Sequence, residues 1–202
     1  DEIHALDREA AAIGYCPVAV EAQYLLAQAL ARTAGSKDES EAAAARLRAT
    51  ALAADACGDD QTRARALMSL VDALDPHDTA AVDRVIDEAE AASRRFDQPG
   101  MAARLFAMRS GIARGRGELD QAIAYGEQAV AAASRDPEGD PAHTMNLALA
   151  LIDKGDLERA ETLARTGLAG LRALYGADNP AVGKAVMMIA IIETKRGQPA
   201  RA

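Results

Sequence analysis

The chain of 202 residues has no tryptophan and two phenylalanines, and aromatics make up only 3 % of it, so large rings cannot dominate its core. Two cysteines, Cys16 and Cys57, are too few for a disulfide scaffold and have no close Cys or His that would complete a structural metal site. Buried, unbonded thiols and a reducing, cytoplasmic setting are therefore expected. No apolar run approaches the roughly 20 residues that span a bilayer, and no basic-then-apolar leader follows Asp1. Positive charge is also scarce. Against 31 Asp and Glu stand 23 Lys and Arg, a net charge of −8, which gives no global support for binding a phosphate backbone.

What is abundant is alanine, 50 residues or about a quarter of the chain. Alanine is the best helix former and is depleted from strands, so an all-α fold of closely approaching helices is expected. Glycine, proline and aspartate divide the chain into about ten amphipathic segments. These are Asp1 to Ile13, Pro17 to Gly35, Asp38 to Cys57, Gln61 to Leu74, Thr79 to Phe96, Met101 to Arg116, Glu118 to Ser134, Pro141 to Lys154, Asp156 to Tyr175 and Pro180 to Arg196. Every connection between them is short, as stacked helical hairpins require.

Self-comparison reveals a period. Gly35, Gly117, Gly155 and Gly197 are separated by 82, 38 and 42 residues, and 82 is two periods of 41. Related strings start at Gly117 (GELDQAIAYGEQAV), at Gly155 (GDLERAETLARTGL) and at Gly197 (GQPARA), each with alanine five residues on: Ala122, Ala160 and Ala202. Seven residues further stand Ala129 and Gly167, small enough for helices to approach closely. The second unit lacks a glycine at its internal turn near Asp75 to Asp78, and the first has Ser36 to Glu39 where a tighter connection is expected.

These strings resemble the tetratricopeptide repeat family, whose unit is two antiparallel helices with a glycine turn and small residues at the tight contacts. The best stretch runs from Thr144 to Ala185 and is similar to the long repeat of kinesin light chains and bacterial signalling proteins. In it Asn146-Leu147-Ala148 matches the first helix and Tyr175-Gly176-Ala177-Asp178-Asn179-Pro180 the turn between repeats. The resemblance implies an all-α, right-handed superhelix as a single domain. Its units are 17–58, 59–98, 99–139 and 140–177, flanked by half repeats at 1–16 and 178–202. Ragged ends of this kind are expected of a piece of a longer protein.

The family's function implies a non-catalytic module that receives a protein or peptide in a concave face, in the regulatory or scaffold region of a larger bacterial signalling protein such as a serine/threonine kinase. The family register places Arg104, Met108, Gly111, Arg114, Met145, Asn146, Leu149, Asp153, Lys184, Met187 and Ile191 along that face. The Asn matching Asn146 commonly holds the backbone of a bound peptide, but Met108 and Met188 take its place in the neighbouring units, which favours apolar contact. All six methionines fall on first helices, where their adaptable side chains suit either a groove or a core. Two other readings stay open: a sensor that binds a small molecule or short peptide in the groove, and self-association through the half repeats, including a homodimer.

Nothing in the sequence supports an enzyme or a bound cofactor. There is no phosphate-binding glycine loop, no nucleophile elbow and no His-Glu-x-x-His helix. His4, His77 and His143 are far apart and read as surface or packing residues. The pairs Asp83/Asp87 and Glu158/Glu161 share helix faces with arginines, which makes mixed solvated faces rather than metal sites. Arg104, Arg109, Arg114 and Arg116 form no single patch on their helix, and ion pairs to the acidic segments on either side are the expected use of most of them.

Overall fold

The computed structural model describes residues 5, 8, 9, 12, 14–96, 98–136 and 139–197. Nine α-helices and no strand occur among them: α1 (Cys16–Thr33), α2 (Lys37–Ala56), α3 (Asp60–Ala73), α4 (Thr79–Ser93), α5 (Pro99–Gly115), α6 (Leu119–Ala133), α7 (Ala142–Lys154), α8 (Leu157–Tyr175) and α9 (Pro180–Lys195). The fold is all-α, and each helix lies within one of the expected segments or a residue or two beyond it. The first expected segment, Asp1 to Ile13, lies mostly outside the described residues. The chain divides into two compact units, Asp1–Asp97 and Gln98–Ala202, and within each unit consecutive helices pack into hairpins.

Helix ends show why the sequence breaks where it does. Gly58, Gly117 and Gly155 adopt φ of +69°, +78° and +88°, and the amide after each donates at 2.9 Å to the carbonyl five residues back. Those acceptors are Ala54, Ala113 and Leu151, so orphan carbonyls are satisfied by one recurring turn. The turns inside the first two hairpins, at 34–36 and 75–78, use side chains instead. Ser36 accepts from the Glu39 amide at 3.2 Å while the Glu39 carboxylate accepts from the Gly35 amide at 2.7 Å, close to a capping box. In the second unit Asp75 accepts from the His77 amide at 2.9 Å and Asp78 caps α4 through the Ala81 amide at 3.0 Å.

The N-terminal unit buries Val20, Tyr24 and Leu47 of α1 and α2, and Leu67, Met68, Val85 and Ile86 of α3 and α4. Tyr24 is buried, its hydroxyl 3.4 Å from Ser69 Oγ and the Arg65 guanidinium 4.4 Å above its ring. Arg65 also donates to both Glu21 oxygens at 2.8 and 2.9 Å, tying α3 to α1. One sequence expectation is overturned here. Cys16 and Cys57 are not buried thiols but form a disulfide, with Cα atoms 5.9 Å apart. The antiparallel hairpin brings the first residue of α1 beside the cap of α2, so residues 41 apart in sequence meet at its open end.

The C-terminal unit has a core of longer aliphatic residues, Leu147, Leu151 and Ile152 of α7, Leu171 of α8 and Val182, Met188 and Ile192 of α9. Its helices approach through small residues. A Cβ on Gly126 of α6 would sit 3.3 Å from Leu147 Cβ and 3.4 Å from Leu147 Cα, and one on Gly167 of α8 would sit 2.6 Å from Met145 Sδ.

Candidate functional site

The eleven residues expected along a groove all lie on α5, α7 and α9, and α7 packs against both α5 and α9. The spacings of 38 and 42 residues between the turn glycines line up equivalent positions: Arg104, Ala142 and Lys184; Gly111, Leu149 and Ile191; Gly115, Asp153 and Lys195. Asn146, Asp153, Lys184 and Ile191 are exposed, as is Gly111, and Arg104, Met108, Arg114 and Leu149 are half-buried. On each helix these residues recur every three or four positions, so they mark one stripe.

Two of the eleven do not belong to that stripe. Met145 is 7 % exposed and its sulfur lies against Gly167 of α8, so it seals the α7–α8 hairpin instead of facing outward. The reason is angular, since one residue is 100° on a helix and Met145 and Asn146 cannot face the same way. Met187, its equivalent 42 residues on, is 60 % exposed but occupies that same hairpin-facing position. The remaining methionines divide similarly: Met68 and Met188 are buried, while Met101 and Met108 are half-buried.

One arginine of α5 reaches across to another helix of the stripe. Arg114 pairs with Asp153 of α7 at 3.1 Å, a contact between two stripe residues on neighbouring helices. Asp120 and Glu127 of α6 are engaged by Lys154 and, at 2.7 Å, by Arg159. Arg109 stacks 5.8 Å from the Tyr125 ring. Among the described residues Arg104, Lys184 and Lys195 make no ion pair, so the stripe carries uncompensated positive charge on a chain of net charge −8.

Away from the stripe, an ionic cluster joins α8 to α9. Glu161 accepts from Arg165 and from Arg196, and the Arg165 hydrogen bond, with both cations nearby, holds its carboxyl below the usual range. Glu193, 3 % exposed, receives Arg165 at 3.4 Å through one oxygen, while its other oxygen has no partner. His143 at the start of α7 has a buried Nδ1 without a partner, and burial pushes its pKa below 6.5 against the pull of Asp140. His77 is exposed in its turn, and His4 lies outside the described residues.

No group of three His, Cys, Asp or Glu side chains is arranged to hold a metal ion among the described residues. No helix among them is long and apolar enough to cross a membrane. Sequence reasoning missed a cleft of about 300 Å³ between α1 and α2, lined by Leu30, Ala43 and Arg46 among others. Its lining residues are ordinary hairpin positions, so no motif marks it. No protein-family model matches the chain, and comparison with curated proteins finds no match either.

Proposed function

We propose that this chain is a non-catalytic binding module of tetratricopeptide-like hairpins that receives an extended peptide along α5, α7 and α9. The observation that carries the reading is the stripe itself, where unpaired Arg104, Lys184 and Lys195 alternate with apolar Met108, Leu149 and Ile191. Such a surface suits a segment mixing acidic and apolar residues, with charge steering the encounter and apolar contact supplying most of the affinity. Asn146, exposed at the centre of α7, is the group placed to bond a peptide backbone. A right-handed superhelix with this stripe on its concave side, in the regulatory region of a larger bacterial signalling protein, completes the proposal. The disulfide removes the argument for a reducing cytoplasm, because such bonds persist in oxidising compartments.

The test is selection of a random peptide library on the purified chain, followed by titration of the enriched peptides. Acidic-apolar peptides should be enriched, and Asn146→Ala with Ile191→Asp should weaken them at least about tenfold, or 1.4 kcal/mol, with helical content unchanged. Equal binding by the double variant, or no enrichment, removes the stripe as the site.

A further inference from the structure

The stripe on α5, α7 and α9 is electrically uneven along its helices. Arg104 stands in the second turn of α5 and Lys184 in the second turn of α9, at places that the internal period makes equivalent, and among the described residues neither has an ion-pair partner. Between them α7 presents Ala142, half-buried and uncharged, and the carboxylate nearest to it in sequence, Asp140, is engaged by the Ala142 amide at 2.8 Å. The opposite end is largely neutralised within the protein. There Arg114 is paired with Asp153 at 3.1 Å, which leaves Lys195 as the unpaired cation. An anionic segment therefore meets two cations at the Arg104–Lys184 level and one cation beside a carboxylate at the other.

The distance between those two cations is set by helix packing. Neighbouring helices lie about 8–10 Å apart, and α7 packs against both α5 and α9, so two steps separate Arg104 from Lys184 by about 16–20 Å. An extended chain advances about 3.3 Å per residue, which puts residues about five or six apart opposite the two cations. We infer that the segment received by the stripe carries two acidic side chains at that separation, one on Arg104 and one on Lys184, with uncharged residues crossing α7 between them. The inference rests on the peptide-binding reading of this same stripe and adds a spacing rule to it. Arg104 can hold a carboxylate through two parallel N–H bonds and Lys184 through a point charge, so the two ends are not interchangeable. Asn146, exposed one turn beyond Ala142, is placed for the backbone midway between the acids. Once one carboxylate is seated the second contact is made within a single complex, so a matched spacing multiplies affinity while a mismatched one leaves a cation idle.

The probe is a series of synthetic Leu/Ser peptides of one length and composition, each with two Glu whose separation runs from adjacent to about nine residues, titrated onto the intact chain. Affinity should peak at a separation of about five or six and exceed that of the adjacent pair by about tenfold at equal net charge. Lys184→Ala should flatten the peak, and Arg104→Glu with Lys184→Glu should transfer the same spacing preference to peptides carrying Lys in place of Glu. Neither side chain has an ion pair to lose, so both variants should keep the wild-type melting curve. A flat dependence on spacing, in peptides that Asn146→Ala with Ile191→Asp still weakens, overturns the spacing rule and leaves the stripe as a peptide site. A peak that Lys184→Ala does not alter overturns it as well. No binding by any member of the series overturns the rule and the peptide reading together.

Discussion

The two units solve one packing problem by different means. In the N-terminal unit the first and third helices are joined by a polar network, Glu21 with Arg65 and Tyr24 with Ser69, and the open end of the first hairpin is closed covalently by Cys16–Cys57. The C-terminal unit has no cysteine, and its polar ties, Arg114 with Asp153 and Glu161 with Arg165 and Arg196, sit beside a different device. Its helices come close because Gly126 and Gly167 lack side chains, and the space is filled by aliphatic residues of the neighbouring helix. A hairpin can thus be secured by restricting the unfolded chain or by increasing contact in the folded one, and the two routes fail under different perturbations.

Removing the covalent closure tests that contrast most strongly. Ring closure over 41 residues contributes about 4 kcal/mol in the chain-entropy account, so Cys57→Ser, or reduction, should destabilise the N-terminal unit by a large part of that. Hydrogen exchange should accelerate at Tyr24 and Leu47 and change little at Leu147 and Leu151. Equal acceleration in both units would erase the distinction.

Gly126→Leu probes the other route. The added side chain meets the Leu147 backbone, which cannot swing aside, and overpacking of this kind costs about 1–3 kcal/mol. Gly111→Ala, with nothing within 4 Å of its Cβ, should instead stabilise by up to about 1 kcal/mol through helix propensity. Chemical denaturation of both variants checks the opposite signs.

The smallest effect concerns pH. Burial lowers the folded-state pKa of His143 below 6.5, so its contribution is fully present above that pH and is lost as pH falls through the lowered value. Stability of the C-terminal unit should therefore decline from pH 7 toward 5, and His143→Gln should flatten that decline. Glu161, also lowered, contributes above its ordinary value near 4.5 and weakens only in more acidic solution, which keeps the two windows apart. An unchanged slope in the variant would show that His143 is not the group responsible.

Much of this was legible in the residues. The turns at Gly58, Gly117 and Gly155 follow from a backbone conformation that glycine adopts freely, and Asp59, Asp78 and Asp156 announce helix starts as side-chain caps. The disulfide was not legible, because pairing depends on two helices of 18 and 20 residues running back alongside one another until their far ends meet. Two of the eleven positions expected on one stripe, Met145 and Met187, face a hairpin instead, and a shift of one residue along the helix makes the difference. Asn146 faces water while Met145 closes a hairpin, a distinction made by the packing of α8 and not by hydrophobicity. The Arg114–Asp153 pair was missed because the acidic residues nearer in sequence are engaged elsewhere.

The Cys16–Cys57 bond also has a mechanical meaning. Tension applied between the two ends of the chain would pass from Cys16 to Cys57 directly through the sulfur bridge, so α1 and α2, inside the closed loop, would carry none of it and would not be drawn out while the bond lasts. At about 3.3–3.6 Å per extended residue, the oxidised chain is shorter by about 140 Å of releasable length than the reduced one. Under load, the first hairpin acts as slack that a reductant can pay out.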